Sequence, residues 1–503
     1  MLRNRFLIFV FLPTIVFCIV AFWIKGVLML DPDFGWHIRM GEIIQKTGIP
    51  KTDPFSYTMS SYPFVDHEWL TNIILAKLYL LINAKGLAIV FASLVMISMF
   101  IQLWLVNRKW FFVPFILAAG SLFPFLGIRP QLITWFFFSI LLLILFNQKA
   151  WRYKFFLPFL FMLWANLHGG FGLGILALAV VILLRIWIQK KLLYGDIILV
   201  VLSITATLIN PYGIHLWREL WMSISDTSLR WSIAEWTPAL FVPSFALWLF
   251  VGFSVISVTR YIKQFHLSWA VVYYGLLLAG ISSIRHMPFF ILIALPMTIM
   301  AIEKFSQEAN TYKGGKERFR KAYIIFAIFV TLAAIIEGLL IIEGSKSSYS
   351  SYPKQAVAFL AKNRSCGQLF STYGWGGYLI WKLPEKKVFI DGRMPSWRRE
   401  SSPHLESNYA FEEYKKLLEG KISTKGILAK YNIDTILLPT GKKEKSDIFK
   451  KLRDLEARIF GGGVDEGNFV NQLTDSGMVE AYKDNTAVIY RQKQYSTRCI
   501  KTS

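Results

Sequence analysis

The chain of 503 residues is 54% hydrophobic and only 17% charged, with a mean hydropathy of +0.45. Because about a quarter of the residues in a soluble domain are charged, this composition indicates a membrane protein and argues against a soluble enzyme. The formal net charge of +23 does not indicate nucleic-acid binding, since the basic residues fall in short clusters between apolar runs. No nucleic-acid partner is predicted.

Apolar runs long enough to cross a bilayer, about 17–25 residues, recur through residues 1–343. The first run has a basic start but no small-residue cleavage site before Asp31, so we expect an uncleaved first span. The predicted fold class is a polytopic α-helical membrane protein. About eleven spans are predicted, at residues 6–28, 87–106, 110–127, 131–148, 155–167, 170–188, 195–211, 240–258, 268–284, 287–302 and 322–342.

Basic residues decide the predicted orientation. Because basic loops tend to stay in the cytoplasm, the N-terminus is predicted to be inside, and eleven spans then put residues 344–503 outside. The clusters occupy every second loop, at Arg3 and Arg5, Arg108 and Lys109, Lys149 with Arg152 and Lys154, Lys190 and Lys191, Arg260 with Lys263, and residues 304–323.

Residues 31–86, the predicted first outer loop, contain no run long enough to cross the membrane. Two stretches, WHIRMGEIIQKTG and EWLTNIILAKLYLLIN, have helical periodicity with a polar face, and we expect both helices on the outer membrane surface. Between them, GIPKTDPFSYTMSSYPF is rich in turn residues and is predicted to be a loop.

Residues 344–503 are polar with α/β patterning, which predicts one extracytoplasmic α/β domain after the membrane domain of residues 1–343. The predicted helices are PKQAVAFLAKN, FEEYKKLLEGK and SDIFKKLRDLEARIF, and the predicted strands are KVFIDGR, IDTILLP and TAVIYRQ. Cys366 and Cys499 lie in this part. An oxidising outer location allows a disulfide between them, and two separate thiols are the alternative.

Acidic residues are concentrated just outside the first apolar run. DPDFGWH holds Asp31 and Asp33, with His37 one helical turn later, and DHEW holds Asp66 and Glu68. Each motif alone is typical of a helix start, with Asp31 or Asp66 as the N-cap and a proline after Asp31 at the first helical position. Together, four closely spaced carboxylates repel one another, which indicates a cation, a shared proton or a basic substrate.

The other predicted outer loops supply basic groups. Arg129 lies between the third and fourth spans, His168 lies in NLHGG, and Arg285 and His286 lie between the ninth and tenth spans. One interpretation is that these side chains meet lipid phosphates at the interface. The other is that they converge on a phosphate-bearing substrate, a task that suits the planar fork of arginine.

Some familiar catalytic signatures are absent from the sequence. It contains no Walker-type phosphate loop, no HExxH, no GxSxG and no CxxC pair. ATP-driven transport and zinc or serine hydrolysis therefore lack their usual residues, and the absence of an internal repeat weakens a secondary-transporter interpretation.

These features together resemble the GT-C class of integral membrane glycosyltransferases, which includes protein O-mannosyltransferases, lipid A aminoarabinose transferases and the catalytic subunit of oligosaccharyltransferase. The resemblance covers essentially the whole chain and is closest to a bacterial branch. It rests on DPDFGWHIRMGEIIQKTG, DHEW, NLHGG, NPYG, EW and RHMPFF, and on YGWGGYLIWKLPEKKVFIDGR at residues 373–393. The sequon-binding motif of oligosaccharyltransferases is absent, so the acceptor stays open.

The resemblance implies inverting sugar transfer from a polyprenyl-phosphate-linked donor to a glycan, lipid or protein hydroxyl, on the outer face of the bacterial plasma membrane. The implied general base is Asp33 or Asp31. A divalent cation, Mg²⁺ or Mn²⁺, on Asp33, Asp66 and Glu68 is left open. The implied substrate-binding residues are Asp66, Glu68, His37, Arg129, His168, Glu235, Arg285 and His286.

Two other functional classes fit the same sequence. One is a non-enzymatic carrier of lipid-linked sugars or a scaffold for envelope assembly. The other is an acyl- or phosphoethanolamine-type transferase that uses the same outer acidic cluster. Whether the cluster is needed for turnover or only for folding separates the glycosyltransferase from the carrier.

The alternation of basic clusters generates a topology prediction. A reporter fused after Lys263 should give a cytoplasmic signal, and a reporter fused after Ser347 should give an outer signal. Paired alkaline phosphatase and green fluorescent protein fusions measure both. The opposite pattern at either position would overturn the assignment of the acidic motifs to the outer face.

Overall fold

A computed structural model describes residues 12–226, 233–349, 352–440 and 466–493. The helices in these residues are α1 (Leu12–Leu28), α2 (Phe34–Thr47), α3 (Trp69–Gln102), α4 (Phe112–Leu122), α5 (Gln131–Phe146), α6 (Leu157–Leu167), α7 (Phe171–Gln189), α8 (Tyr194–Ala206), α9 (His215–Ser225), α10 (Phe245–Arg260), α11 (Leu267–Ser282), α12 (Met287–Ala309), α13 (Gly315–Tyr349), α14 (Lys354–Lys362), α15 (Gly376–Lys382), α16 (Ala410–Leu418), α17 (Thr424–Lys430) and α18 (Glu466–Asp475). The strands are β1 (Gln368–Ser371), β2 (Ile433–Pro439), β3 (Met478–Lys483) and β4 (Ala487–Gln492).

Every one of the eleven predicted apolar runs coincides with a helix, from α1 to α13. Four helical stretches in the described residues are long and apolar enough to cross a membrane: Trp69–Leu105, Phe171–Gln189, Ile284–Ala309 and Gly315–Gly344. Six further apolar helices have 10–17 residues. The predicted class, a polytopic helical membrane protein with a C-terminal α/β part, is confirmed.

The chain divides into two compact units. The first comprises Met1–Met29, Leu81–Leu220 and Ile233–Lys346, and the second comprises Leu30–Leu80, Trp221–Ser232 and Ser347–Ser503. The sequence analysis drew one boundary between residues 343 and 344 and kept residues 31–86 with the membrane domain. In the structure, most of that first loop groups with the C-terminal residues instead. The loop and the C-terminal residues therefore share one core.

In the first unit, a buried lysine donates hydrogen bonds to backbone carbonyls just after the end of α4. Pro124 lies in a short 3-10 turn after α4, where the Phe123 carbonyl accepts the Leu126 N–H at 3.3 Å. Lys25 Nζ donates to the carbonyls of Phe123 at 2.5 Å and Pro124 at 2.7 Å. Because carbonyls in an apolar environment need internal partners, these bonds tie the last turn of α1 to the end of α4.

The second unit contains a four-stranded sheet of order β1-β2-β4-β3. Strands β1 and β2 are parallel, whereas β4 is antiparallel to both β2 and β3, with Ile436 opposite Tyr490. The predictions for IDTILLP and TAVIYRQ are confirmed as β2 and β4, and those for PKQAVAFLAKN and FEEYKKLLEGK as α14 and α16. The sequence analysis did not identify β1 or β3. The predicted helix at residues 446–460 lies outside the described residues.

The predicted strand KVFIDGR is wrong. Its only ladder contact in the described residues is an isolated parallel bridge between Val388 and Ser56. Val388 N–H donates to the Phe55 carbonyl at 2.9 Å, and Tyr57 N–H donates to the Val388 carbonyl at 3.1 Å. Residues around Val388 therefore pair with residues 55–57, in the loop between α2 and α3, and not with the sheet. The loop prediction for residues 48–64 is confirmed.

Helices α2 and α15 cross at a point where neither has a side chain. A Cβ on Gly35 would lie 2.1 Å from the Gly377 carbonyl oxygen, and a Cβ on Gly377 would lie 2.2 Å from the Pro32 carbonyl oxygen. Only glycine permits so close a backbone approach. The crossing brings DPDFGW and YGWGGY, two motifs about 340 residues apart, into direct contact.

A buried ion cluster joins the loop after α2 to the segment after α15. The Arg393 guanidinium contacts Asp391 Oδ2 at 2.6 Å and Asp53 Oδ1 at 2.8 Å, and its side chain is 3% exposed. Arg393 Nε donates to Asp391 Oδ1 at 2.8 Å. The rings of Trp36, Phe55, Phe64 and Trp397 lie within 6 Å of the guanidinium carbon. The cluster anchors the loop between α2 and α3 to residues 391–393.

The three cysteines have different environments. Cys18 is a free, buried thiol in α1. Cys366 is disulfide-bonded. Cys499 lies outside the described residues.

Candidate functional site

The first acidic motif forms a turn that begins α2. Asp31 Oδ1 accepts the Asp33 N–H at 2.9 Å, and the Asp31 carbonyl accepts the Phe34 N–H at 3.1 Å. Helix α2 begins at Phe34 with Asp33 in the N-cap position, and the Asp33 side chain makes no capping hydrogen bond. The prediction that Asp31 is the N-cap is therefore wrong by two residues. The side chain of Asp31 closes the turn, and that of Asp33 does not cap the helix.

The second acidic motif repeats this geometry. Asp66 Oδ1 accepts the Glu68 N–H at 3.0 Å, and the Asp66 carbonyl accepts the Trp69 N–H at 3.3 Å, where α3 begins. In both motifs an aspartate bonds the backbone of the acidic residue two positions later. Asp66, which was predicted to be the N-cap, closes a turn just before the helix begins.

Asn72 connects the two motifs. Its Nδ2 donates to Asp66 Oδ2 at 2.8 Å, and its Oδ1 lies 2.7 Å from His37 Nδ1. An ionised carboxylate only accepts, so the amide group of Asn72 faces Asp66 and its oxygen faces His37. His37 must then donate from Nδ1, which leaves Nε2 without a proton in the neutral ring. Glu68 Oε2 lies 3.6 Å from the same His37 Nδ1.

Burial separates the members of this cluster. Asp33 is partly exposed, so it is the carboxylate of the four that a substrate can reach most readily. The others are buried, with exposed fractions of 9% for Asp31, 4% for His37, 2% for Asp66, 7% for Glu68 and 0% for Asn72.

Burial also shifts the pKa values of His37 and Asp66. Loss of hydration lowers the pKa of His37 to about 3, against an opposing hydrogen bond to Asn72, so the ring is neutral at physiological pH. Burial raises the pKa of Asp66 to about 6, against opposing hydrogen bonds from the Glu68 N–H and Asn72. The cluster therefore contains a neutral imidazole and a carboxyl group that titrates near neutrality.

A metal-ligand set is not apparent among these side chains. No group of three or more His, Cys, Asp or Glu residues in the described parts of the chain is arranged to hold a metal ion. Whether Asp33, Asp66 and Glu68 bind Mg²⁺ or Mn²⁺, which the sequence left open, stays open.

The first unit holds a second polar cluster. Arg129 NH1 contacts Glu235 Oε1 at 3.0 Å, Gln131 donates to the same oxygen at 3.3 Å, and Arg285 lies 5.4 Å from the Trp236 ring centre. Although burial opposes its ionisation, Arg129 and Arg285 hold the pKa of Glu235 below its ordinary value. Two guanidinium groups share one carboxylate, so the group carries a net positive charge.

The two candidate histidines in this unit, His168 and His286, differ in their contacts. His168 Nδ1 lies 2.8 Å from both the Gly170 N–H nitrogen and Thr134 Oγ1, and Trp164 Nε1 donates to Thr134 at 2.9 Å. Because a backbone N–H only donates, Nδ1 is an acceptor and His168 stabilises the NLHGG turn. The His286 ring packs edge-on to Trp236, with 6.4 Å between ring centres. Phosphate binding by these histidines stays a prediction.

The structure brings together Asp31, Asp33, His37, Asp66 and Glu68 in the second unit, and Arg129, Glu235, Arg285 and His286 in the first.

Sequence reasoning missed Asn72 and Gly392. Asn72 lies one helical turn after Glu68, which is a detectable signal on an amphipathic helix. Gly392 lies against the Asp33 carboxylate, and nothing in the local sequence indicates this contact.

A comparison with solved structures gives remote likeness in fold. No protein-family model and no curated protein matches the chain. A crystal structure of ArnT from Cupriavidus metallidurans bound to undecaprenyl phosphate is similar, with a TM-score of 0.48 and 8% sequence identity. The alignment covers 95% of this chain and 97% of that chain. A likeness at this level carries no conclusion about activity.

The raised pKa of Asp66 generates a prediction about stability. The folded carboxyl group holds its proton up to about pH 6, whereas the unfolded one releases it near the ordinary value of 3.8. The contribution of Asp66 to stability therefore falls as pH rises through this window. Asp66→Asn removes the effect, so the melting temperature of the variant minus that of wild type should rise between about pH 4 and pH 6 and level off above.

Thermal unfolding of the full chain in detergent, followed by intrinsic fluorescence at several pH values, measures this difference. Because His37 titrates over an overlapping range with the opposite slope, only the difference between the proteins is informative. Glu480→Gln, on the exposed face of β3, is the control and should give a flat difference. A flat difference for Asp66→Asn would show that Asp66 titrates normally.

Proposed function

We propose that this chain is a membrane glycosyltransferase of the GT-C type. It transfers a sugar from a polyprenyl-phosphate-linked donor to the hydroxyl group of a glycan, lipid or protein acceptor, on the outer face of the bacterial plasma membrane. The observation that carries the proposal is the pair of acidic turns at the starts of α2 and α3, with one partly exposed carboxylate and three buried ones. The motif resemblance supports the same function.

The proposed reaction assigns the base to Asp33. Its carboxylate accepts the proton of the acceptor hydroxyl while the hydroxyl oxygen forms a bond to the anomeric carbon of the sugar. The bond between that carbon and the phosphate oxygen breaks, and polyprenyl phosphate leaves with the electron pair. A single displacement of this kind inverts the anomeric configuration.

The hydrogen bonds of the buried carboxylates Asp31 and Asp66 support this assignment. One oxygen of Asp31 accepts the Asp33 N–H. The two oxygens of Asp66 accept hydrogen bonds from the Glu68 N–H and from Asn72. The Asp33 side chain caps no helix and is partly exposed. Asp33, through its exposure, is therefore the carboxylate best suited to a substrate hydroxyl, whereas buried Asp66 and His37 hold the surrounding structure through Asn72.

The basic cluster of the first unit suits the donor phosphate. Glu235 neutralises part of the charge of Arg129 and Arg285 and orients Arg129 through a contact of 3.0 Å. The remaining positive charge matches a phosphodiester, and the apolar helices offer a surface for the isoprenoid chain. We assign the donor phosphate to Arg129 and Arg285.

Asp33→Asn tests the proposed base. The amide keeps the shape of the side chain but cannot accept the proton, so turnover should fall about a hundredfold or more, the scale of general-base catalysis. Donor binding and the melting temperature should be close to wild type. Turnover is measured with purified protein and a radiolabelled polyprenyl-phosphate sugar, with conversion of the donor to free polyprenyl phosphate as the readout.

Asp31→Asn is the matched control two residues away. An asparagine oxygen can still accept the Asp33 N–H, so this variant should lose much less turnover. Full activity of Asp33→Asn would exclude Asp33 as the base. Donor binding without any turnover in wild type, across glycan, lipid and protein acceptors, would favour the carrier interpretation.

Arg285→Ala tests the phosphate assignment. Removal of the guanidinium should raise the donor KM about tenfold, since a charge-assisted hydrogen bond contributes about 1.5–3 kcal/mol, and the acceptor KM should not change. Arg260→Ala removes a matched arginine that pairs with Glu308 at 2.7 Å and should leave both constants unchanged. Equal donor constants for the two variants would contradict the assignment and support an interfacial role for Arg285.

A further inference from the structure

We infer that the loop Asp391-Gly392-Arg393 is a positioning element that holds the Asp33 carboxylate in its catalytic orientation. The inference rests on the proposed function and adds to it a role for C-terminal residues. Gly392 supplies the contact surface, and Arg393 holds that surface in place. The C-terminal α/β part thereby completes the acidic site.

The contact between Gly392 and Asp33 has no room for a side chain. A Cβ on Gly392 would lie 1.9 Å from Asp33 Oδ1, 2.7 Å from Cγ and 2.9 Å from Oδ2. All three atoms of the carboxylate therefore face the Cα of Gly392. The backbone of the loop bounds one side of the carboxylate and excludes the rotamers that point that way.

The loop is itself held from two directions. Arg393 N–H and Nε both donate to Asp391 Oδ1, at 3.0 Å and 2.8 Å, and NH2 donates to Oδ2 at 2.6 Å. The side chain folds back over the peptide of Gly392 and closes a tight ring. NH1 contacts Asp53 in the first outer loop at 2.8 Å. Asp53 in turn accepts the Phe55 and Ser56 N–H groups at 3.1 Å and 2.8 Å.

The Asp33 backbone is held as well. Asp33 N–H donates to Asp31, and the Asp33 carbonyl accepts the His37 N–H at 3.2 Å. With the backbone fixed by α2 and the carboxylate bounded by Gly392, the side chain has few orientations left. A general base held in this way loses little entropy in the transition state, and a displacement of about 1 Å can cost about a hundredfold in rate.

Gly392→Ala tests the inference. The added methyl group must displace the carboxylate, so kcat should fall about tenfold to a hundredfold with little change in either KM. Gly374→Ala is the matched control, since a Cβ there has no heavy atom within 4 Å, and it should retain wild-type kcat. Melting temperatures of the full-length proteins confirm that both variants are folded.

The decisive measurement repeats Gly392→Ala in the Asp33→Asn background. Asparagine has the same shape as aspartate, so the steric displacement is the same, but no base remains to be misplaced. A positioning role predicts that the double variant is as active as Asp33→Asn alone. A merely structural role predicts that Gly392→Ala lowers the residual activity by the same factor in both backgrounds, and that result would overturn the inference.

Arg393→Lys is the second variant in case Gly392→Ala does not fold. Lysine keeps the positive charge beside Asp53 and Asp391 but loses the planar fork that closes the loop. It should lower kcat in wild type and leave Asp33→Asn unaffected. Wild-type kcat in Arg393→Lys and Gly392→Ala alike, beside a strongly impaired Asp33→Asn, would refute the positioning role and leave the proposed function intact. Full activity of Asp33→Asn would overturn both.

Discussion

The buried contact of Arg393 with Asp53 and Asp391 is the interaction on which the second unit depends. Removal of charged groups from water is costly, and a buried guanidinium is tolerated only when its donors are used. Here four rings surround it and two carboxylates accept from it. The carboxylates hold the pKa of Arg393 above its ordinary value despite the burial. Loss of one partner of such a cluster typically costs about 3–5 kcal/mol.

The cluster decides where the loop between α2 and α3 folds. Asp53 lies in the loop, and Arg393 lies about 340 residues later. Around this pair the loop gains further contacts with the C-terminal residues: Thr58 Oγ1 donates to the Phe389 carbonyl at 2.6 Å, and Ser60 and Ser61 bond Glu406. A loop that would otherwise be exposed is thus part of a packed core. The acidic turns at its two ends acquire fixed positions for the same reason.

Sequence periodicity was sufficient for most of the fold. Apolar runs of spanning length predicted eleven of the described helices, and alternation of apolar residues predicted β2 and β4, because both signals are local. KVFIDGR has the same local pattern as a strand, but its partner is the first loop, which no local signal specifies. Strand β1 has only four residues, too few for a clear alternation.

The site residues, like the fold, were predictable where the signal in the sequence is local and not where it comes from distant residues. The acidic residues were recognisable because carboxylates beside an apolar run are costly unless they have a role. The helix start was misplaced, since Asp31 and Asp33 satisfy the same capping rule and only the first helical hydrogen bond, from the His37 N–H to the Asp33 carbonyl, decides between them. Asn72 and Gly392 take their roles from neighbours 35 and about 360 residues away, and such contacts exist only once the core has formed.

The two acidic turns have the same backbone geometry and yet place their carboxylates in different states. The Asp66 turn is buried with Asn72 and His37, so its charge is costly and its pKa is raised to about 6. The Asp33 side chain is partly exposed and has the backbone of Gly392 on one side. Asp31 and Asp66 close their turns alike, at 2.9 Å and 3.0 Å, whereas the acidic residues two positions later differ in exposure, since Asp33 is partly exposed and Glu68 is buried. A duplicated turn can in this way provide one carboxylate for proton transfer and another that shares a proton with its surroundings.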